Sequence, residues 1–309
     1  MRKACLDMVH ELAKRDPRVV YIGSDPGPGT LNAMKKEFPE RFFIEGISEQ
    51  NVIGMAAGLA MEGYIPYVNT ISTFLTRRCY EQVAIDVALH KLPVRLIGNG
   101  GGVVYAPLGP THTAVEDMAL MRAVPGMTVV APSDAPEMRR FMAKTLDHVG
   151  PIYIRLAKGG DPVISREQDE FVIGKAISMR QGKDVLICST GVMSGRALAV
   201  AETLAGEGIS CGVLHLPSVK PLDIASILKE AAGVRLIVAA EEHGSIGGLG
   251  SALLEGLNDA LPGKALPPVL RLSLPDVFTH KYGSQDGLLK LYGLDAPSIA
   301  ATIRDTLKS

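Results

Sequence analysis

Short apolar runs rich in β-branched residues alternate with segments of helical periodicity through the first half of the chain. Between residues 18 and 156 these runs are VVYIG, FFIEG, IPYVNT, PVRLIGN, MTVVAP and PIYIRL. Each precedes or follows a segment whose apolar positions recur with the period of an α-helix. This alternation predicts a mostly parallel sheet that helices cover on both faces.

A polar, proline-broken segment interrupts the alternation at residues 158–171, KGGDPVISREQDEF. A second alternation follows it, with apolar runs DVLICST, ISCGVLHL, VRLIVAAEE and VLRLSL separated by helical stretches. The predicted fold class is therefore α/β, with two consecutive open, mostly parallel α/β domains. We place the first domain at residues 1–160, the linker at 161–178 and the second domain at 179–309.

Composition and charge narrow the function classes. The chain has 32 basic and 33 acidic residues, so it lacks the positive field expected of a protein that binds nucleic acid or a membrane surface. Its four cysteines are scattered without metal-ligand spacing, which indicates a reduced, cytoplasmic setting and no metal site of its own. The first 16 residues predict an amphipathic helix rather than a signal peptide, and no apolar run is long enough to span a bilayer.

Two glycine-containing stretches follow predicted strands and invite comparison with nucleotide-binding loops. The first, SDPGPGT at 24–30, has neither the G-x-G-x-x-G nor the Walker spacing, and its two prolines lack N–H donors. The second, HGSIGGLGSALLEGL at 243–257, enters a predicted helix and could present N–H groups to an anion. A tight turn with close helix packing is the simpler interpretation of the second stretch, and we set a Rossmann site aside.

An acidic residue stands at the start of an apolar helical stretch, IEGISEQNVIGMAAGLA, at residues 44–60. Ser48 is a suitable N-cap, so Glu49 falls in the first helical turn, where the helix dipole stabilises a negative charge. The residues that follow are apolar on nearly every side, which predicts a buried helix. A carboxylate in such dry surroundings needs a polar partner.

The loop NGGGVVYAPLGPTHT, at residues 99–113, is long for a connection between a strand and a helix. Long loops within compact domains are often functional. Flexible glycines lead here to a proline-stiffened tip that presents Thr111 and His112. His112 is a candidate for acid–base chemistry, with an ordinary structural histidine as the alternative.

Several ordered motifs resemble the pyrimidine-binding domain of transketolase-like thiamine diphosphate enzymes. They are ISEQNVIGMAAGLAMEGYIPYV, STFLTRRCYEQVAIDVALHKLPV, LGPTH and AVPGMTVVAPSD, with features of both transketolase and deoxyxylulose-phosphate synthase. The resemblance covers nearly the whole chain. It implies a pyrimidine domain to about residue 160, followed by the C-terminal domain of the family.

The resemblance implies roles for six residues. Glu49 matches the acid that hydrogen-bonds the N1′ ring nitrogen of the thiamine diphosphate aminopyrimidine, and Phe74 matches the aromatic that stacks on that ring. His112 matches a histidine that contacts the substrate. Arg155 matches an arginine that binds a substrate phosphate, Lys158 stands where related synthases carry a second cation, and Arg77 could join the same anion site.

Two departures from the family pattern shape the expected assembly and substrate. The chain lacks the G-D-G segment and downstream asparagine that hold Mg²⁺ and the diphosphate, which implies an N-terminal partner subunit that supplies them, in a heterotetramer with two copies of each chain. Leu108 stands where the family pattern D-G-P-T-H has its aspartate. Because leucine cannot hydrogen-bond a substrate hydroxyl, we expect an unusual ketose, branched, deoxygenated or carrying another anionic group.

The function that these features predict is that of the C-terminal subunit of a split transketolase, which moves a two-carbon ketol unit from a ketose to an aldose acceptor. A β-type subunit of a 2-oxo acid dehydrogenase or a deoxyxylulose-phosphate-synthase-like enzyme is the first alternative. A catalytically inactive scaffold subunit is the second alternative, against which the retained Glu49 and Phe74 argue.

Overall fold

The computed structural model describes residues 1–24, 31–265 and 268–308. Within these residues the chain forms two sheets, each covered by helices on both faces, which confirms the predicted fold class. The first sheet has seven strands and the second has five. Apart from Ser24, the predicted loop SDPGPGT lies outside the described residues.

The first sheet is parallel except for one edge strand from the second half of the chain. Its strands are β1 Val19–Gly23, β2 Phe42–Ile44, β3 Ile65–Ile71, β4 Arg95–Asn99, β5 Thr128–Val130, β6 Ile152–Leu156 and β10 Ser218–Lys220. Their order is β10-β5-β6-β4-β3-β1-β2, and only β10 runs antiparallel to its neighbour. Strands β1, β4 and β6 are buried along their whole length, as expected for a sheet covered on both faces.

Successive residues of each strand point to opposite cores, in keeping with the two-residue period of a strand. Val68 and Leu96 enter the core on the face covered by α3 and α6, whereas Tyr67 and Ile97 enter the core covered by α1 and α7. The helices of this domain are α1 Arg2–Arg15, α2 Asn32–Glu37, α3 Glu49–Met61, α4 Ser72–Thr76, α5 Tyr80–Gln82, α6 Asp117–Ala123 and α7 Ala135–Met142. A π-helical turn over Val83–Ala88 and 3₁₀ turns over Pro39–Arg41 and Ala106–Leu108 complete it.

The second sheet has the order β12-β11-β8-β9-β7, with only β7 antiparallel to its neighbour. Its strands are β7 Ile177–Arg180, β8 Val185–Ser189, β9 Cys211–His215, β11 Leu236–Gly244 and β12 Val269–Leu274. Its helices are α8 Met193–Ala205, α9 Ile224–Glu230, α10 Leu249–Ala260, α11 Gln285–Leu291 and α12 Ala296–Lys308. Helices α8 and α12 cover one face, and α9 and α10 cover the other.

Two short strands were not among the predicted runs. Strand β7 begins at Ile177, inside the segment predicted as a linker at 161–178. Strand β10 pairs with β5 of the first sheet through Ser218 and Val130. The second half of the chain therefore contributes an edge strand to the first sheet, which ties the two domains together.

A buried polar contact also joins the domains. His215 at the end of β9 places Nε2 3.1 Å from both carboxylate oxygens of Glu137 on α7, and its Nδ1 lies 2.7 Å from Ser194 Oγ. Burial alone would raise the pKa of Glu137, but His215 and Ser133 more than offset it, so this pKa lies below its usual value. Because all three side chains are fully buried, the contact fixes the relative position of the domains.

Candidate active site

Glu49 opens α3 and is only 2% exposed, as its apolar surroundings predict. The rest of α3 is less enclosed than expected, since Asn51, Gly54, Gly58 and Met61 are exposed along one side. The expectation of a helix buried on nearly every side is therefore wrong. Ser48 holds the N-cap position, but its hydroxyl donates to the Glu45 carbonyl at 2.7 Å and makes no cap hydrogen bond.

Arg78 supplies the partner that the Glu49 carboxylate requires. Its NH1 donates to Glu49 Oε2 at 2.6 Å, and its guanidinium carbon lies 4.3 Å from the centre of the Phe74 ring. The sequence pattern alone does not predict a role for Arg78. Two features of the sequence could have indicated it. A buried carboxylate needs a cation, and the side chains of the adjacent Arg77 and Arg78 diverge, so that one of them can reach Glu49.

Phe74 and His112 complete a continuous group of side chains with Glu49. The two rings meet edge to face, with centroids 5.1 Å apart and an interplanar angle of 68°. His112 Nδ1 lies 2.9 Å from Thr111 Oγ1, which orients the imidazole. We call Glu49, Arg78, Phe74 and His112 the catalytic row, a label for a candidate site; it brings together three of the residues singled out in the sequence.

Arg77 faces away from the catalytic row and holds the loop that carries His112. Its guanidinium donates to both carboxylate oxygens of Glu116, to the Thr113 carbonyl at 3.0 Å and to the Pro110 carbonyl at 3.3 Å. It also lines a cavity of about 520 Å³ between the domains, together with residues 115–116, 244–246 and 275–278.

The glycines of the loop at 99–113 serve close packing rather than flexibility. All three glycines at 100–102 are buried. A Cβ on Gly101 would lie 2.3 Å from Arg155 Nε, and one on Gly102, whose φ is +68°, would lie 2.5 Å from the Glu242 side chain. The loop therefore starts as a tight junction between the domains and reaches solvent only near its tip, where Leu108 is 51% exposed.

Arg155 lies in the interior, and two of its three guanidinium nitrogens have hydrogen-bond partners among the described residues. It donates to Asp117 through Nε at 2.7 Å and NH2 at 3.0 Å, and to the Ala114 and Glu242 carbonyls. Burial would lower the pKa of Arg155, but Asp117 outweighs burial and raises it above its usual value. Burial likewise would raise the pKa of Asp117, whereas Arg155 holds it below its usual value. These contacts weigh against the predicted role of Arg155 as a substrate-anion ligand.

Lys158 is exposed and stands apart from the catalytic row. It lines a cavity of about 470 Å³ with Val104, Pro107 and residues 283–286. No member of the catalytic row lines that cavity. Among the described residues, the Lys158 ammonium has no hydrogen-bond or ion-pair partner, so it remains available to an anion from solution.

The glycine-rich stretch at 243–257 is a packed turn, as its simpler interpretation predicts. The Glu241 carboxylate accepts hydrogen bonds from the Leu249 N–H at 2.6 Å and the Gly250 N–H at 2.9 Å. These donors at the start of α10 are therefore already used by the protein, and an external anion would have to displace Glu241.

The residues present fit one half of a thiamine diphosphate site. Among the described side chains only Arg78 donates to Glu49, and it does so to one carboxylate oxygen, so the other oxygen can accept an N–H from a bound ring. Phe74 offers an aromatic surface beside it. Across the described parts of the chain, no group of three His, Cys, Asp or Glu side chains is placed to hold a metal ion.

Two family models match the two domains. The model described as "Transketolase, pyrimidine binding domain" matches residues 1–160, and the model described as "Transketolase, C-terminal domain" matches residues 174–299. Together with the two α/β domains, these matches define a protein that carries the pyrimidine-binding and C-terminal domains of a transketolase. The chain belongs to the transketolase family.

Individual relatives sharpen this assignment. The chain is 38% identical over 300 residues to a 6-deoxy-6-sulfo-D-fructose transketolase subunit of Clostridium sp. (strain MSTE9), covering 97% of this chain and 92% of that protein. It is 42% identical over 298 residues to 1-deoxy-D-xylulose-5-phosphate synthase 1 of Geobacter sulfurreducens, covering 96% of this chain but 46% of the synthase. A solved structure titled "Split gene transketolase, inactive beta4 tetramer" matches with a TM-score of 0.88 and 35% identity, covering 99% and 97% of the two chains.

The length comparison separates the two kinds of relative. The chain matches nearly all of the Clostridium transketolase subunit but less than half of the Geobacter synthase. These similarities confirm the prediction of a C-terminal subunit of a split transketolase. In the described residues, no helix is long and apolar enough to cross a membrane.

Proposed function

We propose that this chain forms half of a thiamine diphosphate-dependent transketolase that transfers a two-carbon ketol unit from an anion-bearing ketose to an aldose. The observation that carries the proposal is the Glu49 carboxylate, which is 2% exposed and lies in one row with Phe74 and His112. A buried carboxylate that keeps an unused acceptor beside an aromatic face suits a flat heteroaromatic cofactor with a ring N–H.

Three side chains of the catalytic row have distinct tasks. Glu49 accepts the ring N–H of the aminopyrimidine, and Phe74 packs against the ring. His112 lies at the loop tip, where its imidazole can hold or move a proton at the oxygen atoms of the substrate. When bound, thiamine diphosphate supplies the electron sink for cleavage of the carbon–carbon bond.

A partner subunit completes the site. The described residues provide no metal cluster, and the sequence has no G-D-G segment for the diphosphate and Mg²⁺. Ile44 and Ile47, which precede Glu49, are 42% and 80% exposed and offer an apolar surface at the mouth of the catalytic row. An N-terminal subunit bound there, in a heterotetramer with two copies of each chain, would supply the missing ligands.

The substrate anion is expected to meet Lys158. This ammonium is exposed, has no partner among the described residues and lines an open cavity, whereas Arg155 is committed to Asp117. The Clostridium relative is named for a sulfonated, 6-deoxygenated ketose. Together with Leu108 in place of an aspartate, this relation supports a donor whose distal end carries a phosphate or sulfonate.

Cofactor binding by the reassembled enzyme tests the proposal. Thiamine diphosphate and Mg²⁺ are titrated into this chain, into the N-terminal subunit and into their mixture, and near-ultraviolet circular dichroism records the bound cofactor. We expect a saturable signal only in the mixture, together with ketol transfer from phosphorylated or sulfonated ketoses. If the two subunits form a complex but the mixture gives no cofactor signal, the proposal fails and the inactive scaffold subunit remains as the explanation.

The 42% identity to a deoxyxylulose-phosphate synthase favours one second candidate function. A synthase-like enzyme would decarboxylate pyruvate and join the remaining two carbons to an aldehyde. Pyruvate consumption by the same mixture, measured as release of carbon dioxide, separates the two activities. We expect none, and release at rates comparable to ketol transfer would favour the synthase or the 2-oxo acid dehydrogenase alternative.

A further inference from the structure

Arg77 uses all three of its guanidinium nitrogens on acceptors of the loop and the helix that follow it. Nε and NH2 pair with the two oxygens of Glu116, NH2 also reaches the Thr113 carbonyl at 3.0 Å, and NH1 reaches the Pro110 carbonyl at 3.3 Å. A planar guanidinium can hold a carboxylate and neighbouring carbonyls at once, which a lysine ammonium cannot do with the same geometry.

These acceptors bracket His112 on both sides. Pro110 lies two residues before His112, and Thr113 follows it directly. The hydroxyl of Thr73, in the same α4 segment, donates to the Thr111 carbonyl at 3.4 Å. Phe74 of α4 meets the imidazole itself at 5.1 Å. One short helix and the turn after it therefore hold both the backbone and the ring of His112.

The charge of Arg77 is already compensated. Glu116 neutralises it through two hydrogen bonds, and an incoming anion would meet the Glu116 carboxylate at the same place. The side chain of Arg77 is 31% exposed and that of Glu116 is 34% exposed, so the pair sits at the wall of the cavity between the domains rather than in open solvent.

We propose that Arg77 is a positioning residue that fixes the loop carrying His112 and does not bind the substrate anion. The inference rests on the proposed function, because it concerns the geometry of His112 in that reaction. Displacing a reacting group by about 1 Å lowers a rate by about 100-fold. Loosening the loop should therefore reduce turnover with every acceptor, charged or uncharged.

The first test measures turnover of the enzyme reassembled with its N-terminal subunit and thiamine diphosphate. Arg77→Gln, Arg77→Lys and Glu116→Gln are compared with the control Arg180→Gln, at an arginine of similar exposure that pairs with Glu202 in the other domain. Glycolaldehyde serves as the uncharged acceptor and glyceraldehyde 3-phosphate as the charged one. We expect Arg77→Gln to lower kcat by about 10- to 100-fold with both acceptors, with Glu116→Gln showing the same pattern and the double variant no further loss.

A loss confined to the phosphorylated acceptor, seen as a raised KM with kcat retained, would overturn the proposal and make Arg77 an anion ligand. Full activity of Glu116→Gln, where Arg77→Gln has lost most of its activity, would also overturn the proposal. The affinity for thiamine diphosphate should not change, because the guanidinium of Arg77 hydrogen-bonds Glu116, Pro110 and Thr113, and none of these bonds reaches Glu49 or Phe74.

The second test does not depend on activity. Hydrogen–deuterium exchange of this chain, followed by mass spectrometry, should show faster exchange over residues 109–116 in Arg77→Gln than in the unaltered protein. Exchange over the buried strand β1 should stay the same. Unchanged exchange over 109–116 would contradict loop positioning even if the reassembled enzyme proved inactive, so failure of this inference can be told from failure of the proposed function.

Discussion

Replacing Asp117 by Asn removes the negative charge that compensates Arg155 in the protein interior. Asp117 is fully buried and accepts from Arg155 Nε at 2.7 Å, Arg155 NH2 at 3.0 Å and Tyr153 OH at 2.7 Å. An asparagine keeps one carbonyl acceptor of similar size but leaves the guanidinium without the carboxylate to which it donates. Breaking one side of a buried ion pair costs about 3–5 kcal/mol, a large share of the about 5–15 kcal/mol that a folded protein has.

Urea unfolding of the isolated chain, followed by circular dichroism, measures this effect. We expect Asp117→Asn to lower the free energy of unfolding by about 3–5 kcal/mol with an unchanged denaturant slope. The surface variant Glu202→Gln, at a side chain that is 80% exposed, should change it by less than about 0.5 kcal/mol. The double variant Asp117→Asn with Arg155→Met should recover part of the loss, because the unpaired charge is gone.

A loss below about 1 kcal/mol for Asp117→Asn would refute the reasoning. It would mean that the Arg155 guanidinium reaches water or another anion, and that Arg155 is free to meet a substrate phosphate after all. The same outcome would restore the role that the family resemblance gave to Arg155.

Three further predictions follow from the described contacts. The pKa values of Asp117 and Glu137 are lowered in the folded chain. The stability that these two carboxylates contribute is therefore complete above their unfolded pKa values near 4 and is lost as pH falls through their folded pKa values. Urea midpoints that stay constant from pH 6 to pH 3 would contradict this. Gly102→Ala should lower the melting temperature, measured by differential scanning fluorimetry, because a Cβ would lie 2.5 Å from Glu242 at a φ of +68°. The matched change Gly58→Ala, on the exposed side of α3 with nothing within 4 Å of the new Cβ, should raise or preserve it, and equal effects of the two alanines would be inconsistent with the packed loop. Lys158→Gln should raise KM for phosphorylated or sulfonated ketoses and spare uncharged acceptors; an equal effect on both would remove Lys158 from the anion site.

The features that sequence reasoning could predict are those set by local pattern. Strand runs such as PVRLIGN are long and apolar enough to fix their own secondary structure. The position of Glu49 at the start of α3 follows from the polar residues that precede a helical apolar stretch. Both features depend on neighbours within a few residues, so one sequence is sufficient to predict them.

The features that it missed depend on distant partners. Asp117 lies 38 residues before Arg155, and no spacing rule links a carboxylate at the start of a helix to a guanidinium near the end of a strand so far away. Strand β10 has three residues and pairs with the other domain's sheet, so it is too short to show a two-residue period. Arg77 and Arg78 are adjacent in the sequence, but the identity of their partners, Glu116 and Glu49, follows only from tertiary packing.

We infer above all that Glu49 acts on a thiamine diphosphate ring in a site that a partner subunit completes. Exchange of the cofactor C2 hydrogen with deuterium, followed by proton NMR in the reassembled enzyme, measures the step that depends on that contact. Glu49→Gln should assemble normally and slow this exchange by about 100-fold or more, whereas Glu202→Gln should leave it unchanged. Exchange at the unaltered rate in the assembled Glu49→Gln enzyme would contradict the claim.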